Sequence, residues 1–567
     1  MLDQGTELIR DGPPILSLKD YAQNADQALA RQQFRPFSTD TLAAALFAGC
    51  SALSIKAYLQ SHPRETVQRE LDTPVRHHHV LAYAINRNDA ECLRVLVEYG
   101  TNLKANAVGD IPLLAYVAMR TKWTVKDATE VFKTLLVHGA DSCCIPQDML
   151  ADYIKTPTAE PISKPVGPSP KWCTPERRVV LAETLNLTMR YYLWRSQRLA
   201  TPSKRTLQVA KAHQMTDFLK VPFQIIGQEP ATNLVLQSIF NHVALRTTES
   251  LVLAFAGLSG HGKTELANQM VGSLLSVPFL ELDCTQMGQI EALLGFPRGY
   301  EGWKAHSPFN DFVLQNSGQR CVVFLDEFDK TKMDVDEALL KVMDTCKQHL
   351  PAGMYRDRKT NLEVDASQTI WILATNMGDT VIDRYHSKHI APRKDADIDK
   401  ISIEPLQHEL LSLFSAVYSP AIAGRIDEIV PFIPFSRNEQ AVVAHKFILD
   451  MQGKALRPID IEKPHLHFIN HAHIAVIDDG KLCQHIAKTG YVKELGARSI
   501  KRMVKTVRRR FASAYLGMDG EITDQMNKGP LVKFVVQLHP IEETDQEVIT
   551  VVNDGFTVVA GSKRGGK

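Results

Sequence analysis

Apolar residues occur in two patterns along the central part of this chain: short continuous runs and helical spacing. Three stretches in its central part, residues 251–255, 321–325 and 369–374, are apolar almost throughout. Short runs of this kind are typical of parallel strands whose two faces are both covered. The stretches between them have the spacing of helices. This alternation predicts an α/β domain in which helices cover both sides of a parallel sheet.

The C-terminal part has a different pattern. From about residue 436, helical stretches are followed by segments in which apolar and polar residues alternate, such as residues 531–537 and 547–552. Alternation with a period of two indicates strands that have one exposed face. A smaller α+β domain is therefore expected after the α/β domain.

The region before the apolar strands contains a weak internal repeat. Residues 39–45, 79–84 and 111–116 resemble one another, and residues 92–100 and 131–141 form similar helix ends. The pattern resembles the ankyrin repeat, in which stacked helix pairs present a concave face to another protein. We therefore expect two to three α-helical ankyrin-like repeats that dock a substrate or a protein partner. An unrelated helical domain is the alternative.

These patterns set the expected domain boundaries. Prolines crowd between residues 156 and 175, which is typical of a semi-rigid linker. In chain order we expect an N-terminal segment (1–38), ankyrin-like repeats (39–145), a proline-rich linker (146–177), a helical connector (178–220), the large α/β domain (221–435), the small α+β domain (436–561) and a tail (562–567).

Composition argues against several classes of protein. The chain has 567 residues, a formal net charge of +1 and 44% hydrophobic residues. A near-neutral charge makes nucleic acid an unlikely partner, and no apolar run approaches the roughly 18 to 20 residues that span a bilayer. Nine cysteines without disulfide-like spacing favour a reducing compartment. With no visible targeting segment, we expect an intracellular protein, with the cytoplasm favoured and the mitochondrion as the alternative.

The strongest chemical motif directly follows the first apolar run. Residues 257–264 read Gly-Leu-Ser-Gly-His-Gly-Lys-Thr, which matches the P-loop pattern G-x-x-x-x-G-K-[ST]. The backbone N–H groups of such a loop cradle the phosphates of a nucleotide. Lys263 is expected to reach the β- and γ-phosphates, and Thr264 to offer its hydroxyl to Mg²⁺. The nucleotide-binding candidates in the loop are Gly257, Ser259, Gly260, His261, Gly262, Lys263 and Thr264.

A pair of carboxylates ends the second apolar run. Asp326 and Glu327 follow residues 321–325, at the end of a strand where ligands bind in an open α/β sheet. We expect Asp326 to hold Mg²⁺ through water and Glu327 to polarise the water that attacks the γ-phosphate. The predicted cofactors are therefore ATP and Mg²⁺.

Taken with Ile225-Ile226-Gly227-Gln228 and with Thr375-Asn376 after the third run, these motifs resemble an AAA+ ATPase. The resemblance adds Ile226 to the nucleotide-binding residues. It also implies that Asn376 is sensor 1, which orients the lytic water beside the γ-phosphate.

Two downstream segments narrow the resemblance to the Clp unfoldases. Residues 424–430 contain Gly-Arg-Ile-Asp-Glu and residues 496–502 contain Gly-Ala-Arg. By resemblance, Arg425 is an arginine finger that completes the site of a neighbouring subunit, and Arg498 is sensor 2 in its own subunit. A finger that acts in a neighbour implies a ring of identical subunits, expected to be a hexamer.

A glycine-flanked tyrosine resembles the pore loop of the same family, which grips extended polypeptide. The residues are Gly299, Tyr300 and Gly302 within residues 294–303. Here Glu301 replaces the usual valine, and the E-G-G-x-L that usually follows is absent. A structural surface tyrosine is the alternative interpretation.

Repeats, a proline-rich linker and one Clp-type module together resemble the ankyrin-carrying branch of the ClpB family. That resemblance implies a disaggregase that threads unfolded or aggregated polypeptide through its ring. The main alternative is a nucleotide-switched ankyrin scaffold that threads nothing. A protease-coupled unfoldase is disfavoured because the expected docking loop is missing, and nucleic-acid remodelling because of the charge. The histidines at 77–79 and 465–473 lack the neighbours of a zinc site, so no metal is expected there.

Overall fold

The chain forms two compact units in the computed structural model. One unit comprises residues 1–199, 441–489 and 501–567, and the other comprises residues 200–440 and 490–500. We call them the terminal unit and the central unit. The structure describes residues 3–19, 24–150, 152–160, 170–199, 202–223, 225–245, 249–268, 273–287, 289–296, 307–343, 354–358, 360–398, 400–418, 420–463, 468–541 and 544–557.

Helices dominate both units. The α-helices are α1 Gln4–Asp11, α2 Ala25–Gln32, α3 Thr39–Ala48, α4 Ala52–Gln60, α5 Arg64–Glu70, α6 Val80–Arg87, α7 Ala90–Glu98, α8 Leu113–Thr124, α9 Thr129–Val137, α10 Pro175–Thr184, α11 Leu187–Ser196, α12 Lys204–Ala212, α13 Glu229–Leu245, α14 Lys263–Glu265, α15 Ser273–Leu275, α16 Ile290–Leu294, α17 Pro308–Gln315, α18 Met333–Met343, α19 Asp379–Tyr385, α20 Asp395–Ile398, α21 Glu404–Val417, α22 Pro420–Ala423, α23 Arg437–Ala455, α24 Asp479–Gly490 and α25 Ala497–Leu516.

Within the described residues, the strands form four sheets of two, three, five and two strands. They are β1 Asn106–Val108, β2 Ile111–Pro112, β3 Leu251–Gly257, β4 Phe279–Asp283, β5 Cys321–Asp326, β6 Met354–Arg356, β7 Glu363–Asp365, β8 Thr369–Thr375, β9 Glu428–Phe432, β10 Ala472–Val476, β11 Leu531–Ile541 and β12 Thr544–Thr557. β1 with β2 and β6 with β7 are antiparallel hairpins.

A five-stranded parallel sheet is the centre of the central unit. Its strand order is β4-β5-β8-β3-β9, and every neighbouring pair is parallel. β3 and β8 are buried at every position, as their continuous apolar sequences require. Alternate side chains enter opposite faces: Phe324 and Ile372 pack in one core, and Val323 and Trp371 in the other. The predicted α/β domain with helices on both sides of a parallel sheet is confirmed.

This topology places the chemical motifs together. Parallel strands point their carboxyl ends toward the same edge of a sheet. β3 ends at Gly257, β5 at Asp326 and β8 at Thr375, so the three motifs that follow them meet at that edge.

The N-terminal part of the terminal unit is a set of short helices with defined ends. Ser38 accepts a hydrogen bond from the Thr41 amide at the start of α3, and Gly49 ends that helix with φ of 91°. Asp89 caps α7 in the same way through the Cys92 amide. The stretches that carry the predicted repeats therefore fold as helices α3, α6, α7, α8 and α9.

The C-terminal part of the terminal unit combines a small sheet with helices. β10 pairs in parallel with β11, and β11 pairs antiparallel with the long strand β12. Phe534 of β11 packs against two rings of α25: edge to face with Phe511 at a centroid distance of 5.1 Å, and stacked with Tyr515 at 5.9 Å. Helix and sheet share one aromatic core, which is the arrangement expected of an α+β domain.

A buried polar cluster joins the N-terminal helices to this C-terminal part within the terminal unit. Nη2 of Arg190 lies 2.8 Å from Oδ1 of Asp479, and the Leu187 amide donates to Oδ2 of the same carboxylate at 2.6 Å. Thr188 and His445 are hydrogen-bonded at 2.7 Å. We call these five residues the polar junction. Burial opposes the charge of Asp479, but Arg190 and His445 hold its pKa below the usual range.

None of the helices in the described part of the chain is both long and apolar enough to cross a membrane.

Candidate functional site

The phosphate loop lies between β3 and α14, as its sequence predicts. Gly260 and Gly262 have φ of 75° and 100°, values that side-chain-bearing residues rarely adopt. Gly260 also lies against the backbone of the segment that carries Arg498. The amide of Ala497 donates to the Gly260 carbonyl at 2.9 Å. A Cβ at Gly496 would lie 2.5 Å from the same carbonyl oxygen, so this contact requires glycine.

Lys263 is the first residue of α14 and is 8% exposed. Its Nζ donates to Oδ1 of Asn376 at 2.9 Å, to the Leu258 carbonyl at 3.2 Å and to the Gly257 carbonyl. Burial lowers the pKa of Lys263 to about 8, and the nearby carboxylate of Asp326 acts in the opposite direction. The ammonium group is therefore charged at neutral pH in a place where a phosphate anion would stabilise it further.

The predicted magnesium ligands, Thr264 at the start of α14 and Asp326 at the end of β5, lie close together. Oγ1 of Thr264 lies 3.4 Å from Oδ2 of Asp326, and Oδ1 of Asp326 accepts the Glu327 amide at 3.0 Å. One hydroxyl and one carboxylate suit Mg²⁺, which keeps several waters and takes its remaining ligands from phosphates. Consistent with this partial donor set, no group of three or more His, Cys, Asp or Glu among the described residues could hold a metal ion.

Glu327, the predicted general base, has an unusual backbone. Its φ of 53° and ψ of 43° are left-handed, and its side chain is exposed. Such a conformation costs about 1 to 3 kcal/mol for a residue other than glycine and is concentrated at functional sites. The turn is closed by the Lys330 amide, which donates to the Glu327 carbonyl at 2.9 Å. The carboxylate is thus solvent-exposed at the carboxyl edge of the sheet, where its predicted role would require it.

Asp329 is a site residue that the sequence analysis missed. Its Oδ1 accepts the Thr375 hydroxyl at 3.1 Å and the Asn376 amide at 3.2 Å, and its Oδ2 pairs with Lys330 at 2.9 Å. Burial opposes its charge, but the bonds from Lys330 and Asn376 keep its pKa below the usual range. Asp329 therefore ties the turn after Glu327 to the residue predicted as sensor 1. A third acid two positions after the Asp-Glu pair was the available signal.

His261 is a fully buried member of the phosphate loop. Its Nδ1 lies 3.0 Å from the Ser259 carbonyl, and its Nε2 lies 3.1 Å from the hydroxyl of Tyr491. Its ring stacks on Phe435 with centroids 5.1 Å apart. Burial lowers the pKa of His261 to about 4, so the imidazole is neutral at physiological pH. Tyr491 was also missed, because its link to the loop crosses 230 residues of sequence.

Two further candidates lie at the loop. Nη1 of Arg498 donates to Oγ of Ser259 at 3.0 Å, which places the predicted sensor 2 directly on the phosphate loop. Ile226 is buried, and its neighbour Ile225 packs 3.7 Å from where a Cβ on Gly262 would lie.

The predicted arginine finger lies elsewhere in the central unit. Arg425 follows α22 and is half-buried beside Phe328 and Leu373. The next acid, Asp427, accepts the Val252 amide at 2.7 Å and so fixes the segment to β3. The pore-loop candidates Gly299, Tyr300 and Gly302 lie outside the described residues.

Comparison with known proteins defines the class of this domain. Residues 248–429 match the family described as "AAA domain (Cdc48 subfamily)". This match covers the five-stranded sheet up to the first residues of β9 and contains the P-loop, the Asp-Glu pair, Asn376 and Arg425. The central unit therefore contains an AAA+ ATPase domain, whose chemistry is the hydrolysis of ATP with Mg²⁺.

Two curated relatives from the Clp group are similar to part of this chain. The chain is 26% identical over 334 residues to the chaperone protein ClpB of Staphylococcus epidermidis, which covers 58% of this chain and 34% of that protein. It is 26% identical over 324 residues to the ClpA homolog protein of Fuscovulum blasticum, covering 55% of this chain and 35% of the relative. The chain thus spans about a third of the length of these relatives.

Two solved structures are also similar to part of this chain. A closed-state reconstruction of Hsp104 with ATPγS and casein has a TM-score of 0.43 and 19% identity, over 64% of this chain and 56% of that one. An extended complex of Saccharomyces cerevisiae Hsp104 with casein has a TM-score of 0.43 and 20% identity, over 62% and 53%.

Proposed function

We propose that this chain is an ATP-driven protein unfoldase or disaggregase that works as a ring. The observation that carries the proposal is the convergence of Lys263, Thr264 with Asp326, and Arg498 on one phosphate loop. The relationship to ClpB adds support, because it extends over 334 residues and so well beyond the matched ATPase domain. Nucleotide chemistry alone fits many AAA+ proteins, whereas the Gly-Ala-Arg segment on the loop favours the Clp type.

In this proposal each residue has one task. Lys263 and the loop amides bind the β- and γ-phosphates, and Thr264 with Asp326 holds Mg²⁺. Glu327 polarises the attacking water while Asn376 orients it. When bound, the metal neutralises charge that develops on the transferred phosphoryl group.

The ring follows from the proposed role of Arg425. A guanidinium that completes the site of a neighbouring subunit stabilises the charge of the transition state, an effect worth about 10³ to 10⁵ in rate in other NTPases. A closed ring supplies every site with such a group, and six identical subunits is the size we propose. Gly299, Tyr300 and Gly302 would then line the central pore and contact extended polypeptide.

The N-terminal helices have a separate proposed role. We propose that α3 to α9 form ankyrin-like repeats that dock clients or a protein partner, in a protein of the ankyrin-carrying ClpB branch. A reducing compartment is consistent with the cysteines, because the eight that the structure describes are all free thiols. We propose the cytoplasm, with the mitochondrion as the alternative.

The test is ATP-dependent reactivation of an aggregated model enzyme, with ATPase rates measured on the same samples. The wild type should restore enzyme activity. Glu327→Gln should keep ATP binding but lose both hydrolysis and reactivation. Tyr300→Ala should keep hydrolysis and lose reactivation, because only the grip on polypeptide is removed.

A nucleotide-switched scaffold is the second candidate, and the pore-loop sequence favours it. Glu301 and residues 304–307 depart from the threading pattern of the family. ATPase activity in the wild type without any reactivation, together with an unaffected Tyr300→Ala variant, would reject the threading proposal in favour of the scaffold.

A further inference from the structure

The phosphate loop makes three contacts with one short segment of the chain, Gly490 to Ile500. The Gly260 carbonyl accepts the Ala497 amide at 2.9 Å, and the His261 ring is hydrogen-bonded to Tyr491 at 3.1 Å. In the third contact, Nη1 of Arg498 donates to Oγ of Ser259 at 3.0 Å. This segment is where the chain returns to the central unit, between residues 490 and 500.

The hydrogen-bond directions at His261 are fixed by its surroundings. The Ser259 carbonyl is only an acceptor, so Nδ1 of His261 carries the proton and donates to it at 3.0 Å. Nε2 of the neutral ring is then an acceptor, and the Tyr491 hydroxyl donates its proton to it at 3.1 Å. A single tautomer thus links the loop backbone to Tyr491 through one side chain.

The His261 ring also contacts Phe435, which lies near the C-terminal end of the first segment of the central unit, residues 200–440. His261 stacks on Phe435 at an interplanar angle of 21°, and the Phe435 backbone interacts with the hydroxyl of Tyr491. Phe435 lies five residues before Gln440, where the chain leaves the central unit, and Tyr491 lies just after it returns. The segment before the chain leaves this unit at Gln440 and the segment with which it returns at Gly490 therefore meet at one side chain of the phosphate loop.

We infer that Tyr491 is a positioning residue for ATP hydrolysis, acting through its hydrogen bond to His261. By holding Nε2 of His261, Tyr491 fixes the phosphate loop relative to the segment that carries Arg498. The hydroxyl itself contacts no predicted nucleotide ligand other than His261. Tyr491 instead sets the geometry of the loop from which Lys263 and the backbone amides contact the γ-phosphate. A small misplacement of these groups lowers the rate of hydrolysis strongly.

This inference rests on the ATPase chemistry of the central unit and needs no threading. The role of Tyr491 can therefore be wrong while the disaggregase proposal is right. Equally, the disaggregase proposal can be wrong while the role of Tyr491 is right.

The experiment compares steady-state hydrolysis of Mg·ATP by the full chain and by Tyr491→Phe, which removes one oxygen atom. We expect kcat to fall about three- to tenfold, which corresponds to the loss of one hydrogen bond that is used in the reaction. KM for Mg·ATP should change less than about twofold, because Tyr491 does not bind the nucleotide.

A double-mutant cycle tests whether the Tyr491 hydroxyl acts through His261. His261→Phe keeps a ring that can stack on Phe435 but lacks both nitrogens. If the hydroxyl acts through His261, adding Tyr491→Phe to His261→Phe should cause no further fall in kcat. Should His261→Phe fail to fold, the kcat and KM of Tyr491→Phe alone still decide the matter.

Tyr515 supplies the matched control. Its buried hydroxyl donates to the Asn470 carbonyl at 3.1 Å in the terminal unit, away from any predicted site residue. Tyr515→Phe should lower thermal stability and leave kcat unchanged. If Tyr491→Phe behaves in the same way, with a lower unfolding temperature and an unchanged kcat, Tyr491 is only a structural residue and the inference is wrong. An equal fall in kcat with and without His261→Phe would also overturn it.

Discussion

Two clusters of buried charge, one in each unit, differ in how their charges are satisfied. In the polar junction, Arg190 is 1% exposed and donates to Asp479 and to the carbonyls of Tyr153 and Ile154. At the nucleotide site, Lys263 is similarly buried but makes its bonds to carbonyls and an amide oxygen, and burial brings its pKa to about 8.

The difference shows how a structural charge can be told from a catalytic one. A buried cation that is paired with a carboxylate, and whose N–H groups all donate to protein oxygens, holds the chain in one arrangement. A buried cation with only neutral oxygen partners is held ready for an anion, and the left-handed Glu327 nearby adds backbone strain to the same edge of the sheet. Three changes test this comparison.

The largest effect should come from breaking the junction. Asp479→Ala leaves the Arg190 cation buried without its partner, so we expect the free energy of unfolding of the terminal unit to fall by about 3 to 5 kcal/mol. Chemical denaturation followed by circular dichroism measures this. Asp450→Ala is the matched control, because Asp450 forms an exposed ion pair with Lys454 on α23 and its loss should cost about 0.5 kcal/mol or less. Equal losses in the two variants would show that the junction adds no stability.

A smaller effect, on rate rather than stability, should follow from Asp329→Ala. Removing this carboxylate frees the Thr375 hydroxyl and the Asn376 amide, so Asn376, the predicted sensor 1, loses these two anchoring hydrogen bonds. We expect kcat for ATP hydrolysis to fall about tenfold, the equivalent of one charge-assisted hydrogen bond.

Asp329→Asn is the control for this change, because it keeps one acceptor oxygen and should retain most of the activity. A stability loss without any change in kcat would place Asp329 with the structural charges instead.

The third test is a pH dependence of stability that belongs to the junction and vanishes above about pH 6.5. Burial lowers the pKa of His445 to about 4, and Asp479 and Arg190 face it with opposite effects. Between about pH 4 and 6.5 the unfolded chain binds a proton that the folded chain does not, so stability should rise with pH across that window and then level off. His445→Gln should reduce this slope by up to about 1.4 kcal/mol per pH unit near pH 5.

Measurements at pH 8, where His445 is neutral in both states, separate this effect from lost packing. An unchanged slope in His445→Gln would mean that this histidine is not the titrating group.

The sequence predicted the central unit better than the terminal unit. Strands β3, β5 and β8 were predictable because burial on both faces demands a continuous apolar run. Their motifs were predictable because parallel strands end at one edge. Asp329 and Tyr491 escaped notice because a polar residue close to the site in space leaves no periodic trace in the chain.

The polar junction could not be predicted from apolar runs or motifs. Arg190 and Asp479 are 289 residues apart, and each lies on a helix whose own sequence explains it. Helical periodicity predicts which face of a helix is buried, but it does not identify the helix or strand that packs against that face. The resemblance of the N-terminal helices to ankyrin repeats stays a prediction for the same reason, since helix positions alone do not define that fold.

The junction also bears on how this protein can be cut into pieces. A fragment that starts near residue 200 would keep Asp479 and His445 but lose Arg190 and Thr188, and the Leu187 amide with them. Its α+β part would then contain an acid, Asp479, that has lost its arginine partner. Loss of function in such a truncation would report damage to the remaining protein as much as absence of the N-terminal helices. Point changes on exposed surfaces of α3 to α9, or a chimera that carries α11 along with α24, are the sounder means of assigning the role of those helices.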